Sequence, residues 1–183
     1  MSRHLHAQRL NIQAFAQEGQ PLVEITPLSK LERLAHETQG PEPDLPINWR
    51  AAGELRPHPG AEDDVWLRLE AKASLPLTCQ RCMGTVTTAV EVDQWYRFVA
   101  DETIAMAEDD QSEEDLLVMA PQFDLLAVLE DELLMALPLV PMHEVCPEAL
   151  VFSAGESDLA VQEDAKPHPF AALAQLKKPK LAE

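Results

Sequence analysis

Two uninterrupted runs of period-two alternation constrain the fold most. Val65, Leu67, Leu69, Ala71, Ala73, Leu75 and Leu77 alternate with Trp66, Arg68, Glu70, Lys72 and Ser74, and Val86, Thr88, Val90 and Val92 carry the pattern on towards Tyr96 and Phe98. Successive side chains of a strand point to opposite faces, so this pattern demands a sheet with one packed and one polar face. A third alternating stretch, Leu45 through Leu55 on odd positions, precedes them across the turn region Pro57 to Asp64. Three strands with short connections predict an antiparallel meander.

Between the two runs lies Cys79-Gln80-Arg81-Cys82-Met83-Gly84, which the meander places at a hairpin tip. A second pair at the same spacing, His143 and Cys146, follows about sixty residues later, so all three cysteines of the chain belong to one constellation. Two i, i+3 pairs are a recurring way to surround one tetrahedral zinc ion, each tight turn supplying two soft or borderline donors. Other readings stand beside it: free cysteine often packs as a small hydrophobe, and Cys-x-x-Cys also serves as a redox dithiol. Redox dithiols of the thioredoxin kind sit at a helix N-terminus, whereas the flanks here read as strands. Three cysteines, two of them in a knuckle, do not make a secreted disulfide framework.

The rest of the chain reads as helix and loop. Leu10, Ile12 and Ala14 suggest a short strand. Thr26-Pro27 reads as an N-cap and first-turn proline opening a helix over about 27–36, with Leu28, Leu31, Leu34 and Ala35 on one face. Asp124 caps a helix over about 124–137 carrying Leu126, Leu129, Leu133 and Leu137, and Pro169 opens a closing helix over about 170–177. The expected fold class is α+β, a β meander packed with a few helices, in a single domain over 1–183.

Charge is concentrated. Of the net −18, all is carried by the segment Phe98 to Ala165, which holds eighteen Asp and Glu and no Lys or Arg. Eight of these acids fall between Asp101 and Asp115, so residues about 101–120 are expected to form a flexible, solvated acidic loop. Such a surface repels phosphate and favours a basic protein as partner. Arg81 and the Lys177-Lys178-Lys180 tail leave only a small basic contact. No stretch approaches eighteen consecutive apolar residues and the first residues lack a signal-peptide pattern, so a soluble cytoplasmic protein is expected, with no membrane partner. No Gly-rich phosphate loop, nucleophile elbow or His-Glu-x-x-His helix occurs. Catalysis and a small-molecule substrate are therefore not expected.

The combination of Cys79-Gln80-Arg81-Cys82, the run Glu130-Asp131-Glu132-Leu133-Leu134-Met135-Ala136-Leu137-Pro138-Leu139-Val140-Pro141 and the closing Lys166 to Lys177 segment resembles the YceD family of large ribosomal RNA subunit accumulation proteins. The likeness runs from about Leu28 to Lys178. It implies a non-enzymatic ribosome-biogenesis factor needed for accumulation of large-subunit (23S) ribosomal RNA, acting on that RNA or on a basic large-subunit ribosomal protein. The alternative is a zinc-knuckle adaptor or chaperone for a basic protein unrelated to ribosomal RNA. Many relatives carry a second cysteine pair where this chain has His143 and Cys146, and histidine can replace a thiolate on zinc.

Overall fold

The computed structural model describes residues 6–40, 44–58, 60 and 62–147. The expected closing helix at 170–177 lies outside them. One five-stranded sheet organises the described body in the order β1-β2-β3-β4-β5: β1 Leu22–Pro27, β2 Pro46–Arg56, β3 Asp64–Thr78, β4 Thr85–Val99 and β5 Asp115–Val118. The first four pair antiparallel, and β5 adds parallel to β4, with Tyr96 opposite Asp115 and Val99 opposite Val118. The α+β class is as expected, but the sheet is wider than the three-stranded meander by one strand at each edge.

Alternation decides the faces. Every odd residue of β3 from Val65 to Leu77 is buried, as are Ile47, Trp49 and Ala51 of β2 and Val90, Val92, Tyr96 and Phe98 of β4. Helices α1 (Ile12–Glu18), α2 (Glu32–Glu37) and α4 (Leu125–Met135) cover this face with Ile12, Phe15, Leu34, Leu125, Leu129 and Leu133. Gly53 stands where α1 crosses β2: a Cβ there would lie 2.8 Å from Phe15 Cδ1 and 2.9 Å from Ala16 Cα, so a side chain would push the helix off the sheet. The other face is open and laced by Arg50 with Glu70, Arg68 with Asp93, and Lys72 with Glu91.

Three expectations need correction. Residues 10–14 do not form a strand. Asn11 accepts a hydrogen bond from Ala14 N at 3.0 Å and Gly19 closes α1 in the left-handed conformation, so Ile12, Phe15 and Ala16 share a helical face. Thr26-Pro27 does not open a helix either. It ends β1, with Thr26 Oγ1 accepting from the buried Trp49 indole at 2.9 Å, and α2 begins only at Glu32 after a 3-10 turn at Leu28–Lys30. Nor is the acidic stretch a structureless loop. It forms α3 (Glu102–Glu108), a 3-10 turn at Asp109–Gln111 and β5.

The acidic stretch folds back because of one cation. Arg97, on the open face of β4 and only 12% exposed, meets Glu108 at 2.9 Å and Glu114 at 2.7 Å and donates to Ser112 Oγ at 3.0 Å. These bonds gather carboxylates that would otherwise repel one another. Replacing Arg97 by Ala is expected to speed amide hydrogen exchange across 102–118 while leaving β2 and β3 protected. Unchanged exchange there would show that β5 pairing alone holds the segment.

Candidate metal centre

The hairpin of β3 and β4 carries the knuckle at its tip, beyond the last pair, Thr78 opposite Thr85. Cys79 N donates to Gly84 O at 2.8 Å and Met83 N to Cys79 O at 2.8 Å, closing the turn on itself. Met83 takes a left-handed φ of 60°, uncommon outside glycine, and those two bonds hold it there. The second limb arrives from α4. Ala136 caps that helix, Pro138 and Pro141 prevent its continuation, and Gln80 N donates to Pro141 O at 2.9 Å, docking the returning chain beside the knuckle.

That docking brings Cys79, Cys82, His143 and Cys146 together, one ligand atom from each lying within 4.8 Å of the others. Cys79 Sγ lies 4.0 Å from Cys146 Sγ, and Cys82 Sγ lies 3.4 Å from His143 Nδ1. Four donors on a tetrahedron with metal–sulfur bonds of about 2.3 Å stand about 3.8 Å apart, so the spacing suits one central ion. His143 Nε2 lies 3.0 Å from the Thr85 carbonyl. That carbonyl can only accept, so the ring proton belongs on Nε2 and the Nδ1 lone pair faces the sulfurs. A ligating histidine is commonly oriented this way by its other nitrogen.

The electrostatics also suit a cation. Burial opposes charge on Cys79, yet the backbone amides of His143, Cys82 and Arg81, together with the His143 ring, lower its pKa to about 5. At Cys82 the amide of Gly84 favours the thiolate, but burial and the neighbouring sulfurs of Cys146 and Cys79 outweigh it and raise the pKa. One thiolate is thus prepared and another is resisted by crowding, a conflict that a divalent ion relieves. The four residues could hold a metal.

Sequence reasoning missed Arg81. It turns inward instead of offering a basic contact, its Nε donating to Cys146 Sγ at 3.0 Å and its Nη2 to the carbonyls of His143 at 2.7 Å and Glu144 at 3.2 Å. A lone arginine between two cysteines gives no local sign of partners more than sixty residues away. Glu130 was likewise invisible. On α4, it is only 8% exposed and accepts from the amides of Arg33 and Leu34 at 2.8 and 3.2 Å, capping α2, whose own N-cap residue Leu31 has no capping side chain.

An α+β domain with three thiols and an imidazole converging at the tip of its central hairpin is a cysteine-knuckle protein with a metal-competent centre. The family model described as "Large ribosomal RNA subunit accumulation protein YceD" matches residues 67–177, a stretch that includes both limbs of the knuckle. The chain belongs to that family. A relative named "Large ribosomal RNA subunit accumulation protein YceD" from Haemophilus influenzae (strain ATCC 51907 / DSM 11121 / KW20 / Rd) is 34% identical over 125 residues, covering 62% of this chain and 66% of the relative, just under two thirds of its length. No solved structure matches. Among the described residues no helix is long and apolar enough to cross a membrane.

Proposed function

We propose that this protein is a non-enzymatic ribosome-biogenesis factor that supports accumulation of large-subunit (23S) ribosomal RNA. Family membership across both limbs of the knuckle carries this reading. In it, Cys79, Cys82, His143 and Cys146 hold a structural zinc ion: three thiolates and one imidazole in a tetrahedral set suit zinc, and four protein donors leave no coordination position open for a reacting water. The partner is the ribosomal RNA itself or a basic large-subunit ribosomal protein. The eighteen carboxylates between Phe98 and Ala165 favour the protein.

The test is a clean deletion, with both ribosomal RNAs quantified and the subunits resolved on a gradient. The expected result is a fall in large-subunit relative to small-subunit RNA, with free small subunits accumulating and metabolism otherwise intact. An unchanged ratio across growth temperatures removes the ribosomal reading. It promotes the second one, an adaptor or chaperone for an unrelated basic protein, which the ordered acidic segment at the far end of β4 from the metal-competent knuckle independently favours.

A further inference from the structure

The open face of the sheet carries a feature that its ion-pair lattice does not account for. Trp66 of β3 and Trp95 of β4 occupy outward positions of the alternation, where charged residues otherwise prevail, and meet edge to face with centroids 6.2 Å apart. The guanidinium of Arg56 lies 3.8 Å from the centre of the Trp66 ring and 4.4 Å from that of Trp95. The Trp66 indole Nε1 is shut off from solvent without a hydrogen-bond partner. Beyond the rings runs a groove of about 340 Å³ lined by Arg56, Trp66, Trp95, Asp93, Glu113 and Glu114. A second hollow of about 650 Å³ continues from it past Asp64 and Glu108 beneath the acidic segment.

The charge of this groove decides what it can accept. Arg97, at its far side, is committed to Glu108 and Glu114. Arg56 is paired with Glu54. Glu113 is exposed and has no ion pair among the described residues, and the unpaired Asp109 and Asp110 stand just before it in the chain. Phosphate is therefore repelled, whereas the faces of indole rings attract cations, the more strongly once water is excluded. The seated Arg56 shows that a guanidinium fits these two rings.

We propose that the Trp66–Trp95 groove is the docking site for a Lys- or Arg-rich segment of a protein partner, an incoming cationic side chain taking the place of Arg56 on the tryptophan faces while Glu113 meets its charge. Arg56, 39% exposed on the last residue of β2, is an internal stand-in that a competitor displaces by swinging it outward. The inference deepens the protein-partner form of the function proposed above and rests on it for the identity of the partner, but not for the chemistry of the groove.

The test titrates the full chain with a nine-residue arginine peptide, followed by tryptophan fluorescence and calorimetry. Any acidic protein attracts such a peptide, so the informative variants leave the charge unchanged. Trp95→Ala is expected to weaken binding about fivefold, and Trp95→Phe, which keeps a ring and protects the fold, by a smaller factor. Two variants that do alter the charge are read only beside these: Arg56→Ala is expected to tighten binding, and Glu113→Gln to weaken it about twofold. Affinity that is the same in wild type, Trp95→Phe and folded Trp95→Ala protein overturns the proposal, as does a mixed-sequence single-stranded RNA that binds more tightly than the peptide and depends on Trp95. If the peptide result holds while deletion leaves the ribosomal RNA ratio unchanged, the groove stands and the ribosomal reading falls. The opposite pair of results separates them the other way.

Discussion

Purified without chelator, the protein is expected to carry about one zinc ion per chain, and Cys79→Ser to abolish that content and lower the melting temperature by about 10 °C. The size of the effect follows from where the ion would sit. Cys79 is fully buried at the end of the longest pair of strands, and the returning limb 138–147 is held there by the Gln80–Pro141 bond, the Arg81 contacts and the centre itself. Without an ion, crowded thiols replace a shared cation, and the limb loses its principal tie. Metal analysis and thermal melting with and without chelator check this together. Less than about a tenth of an equivalent, with melting indifferent to chelator, would reduce the cysteines to packing residues.

Glu130→Ala is expected to cost about 2 to 3 kcal/mol in denaturant unfolding, the range for stranding buried hydrogen-bonding groups. One carboxylate oxygen receives the Arg33 and Leu34 amides that open α2, and the other receives Arg33 Nε at 2.8 Å. Truncation leaves the Leu34 amide, buried between α2 and α4, without a partner. Glu130→Gln keeps an acceptor for those amides and loses the charge, so it should fall between wild type and Ala. A midpoint for Glu130→Ala indistinguishable from wild type would mean that water replaces the carboxylate and that this contact is surface decoration.

These contacts show which parts of the protein were legible from residue order. Strand periodicity is local, so Val65 to Leu77 declared its buried face without knowledge of any neighbour, and both pairs of the centre announced themselves by spacing. Three alternating positions were too few at Leu10, Ile12 and Ala14, where the side-chain cap of Asn11 and the glycine stop at Gly19 outweighed them. Thr26-Pro27 carried a helix-opening signature, but the hydroxyl was claimed by Trp49, twenty-three residues away. The acidic run hid an ordered segment because its organising charge, Arg97, lies outside the run. Signals failed where a partner distant in sequence supplied the missing hydrogen bond or charge.

The two limbs of the centre also impose an order of events. As the chain emerges from its N-terminus, Cys79 and Cys82 become available with the hairpin, but His143 arrives sixty-one residues after Cys82. Until then a nascent domain offers two thiols, half of the four donors a structural zinc site needs. Only after α4 has packed and the chain has doubled back does the full donor set close. Were an ion bound there, its occupancy would mark completion: a truncated or stalled polypeptide can possess the entire sheet, whose last strand ends at Val118, and still lack half of the donor set.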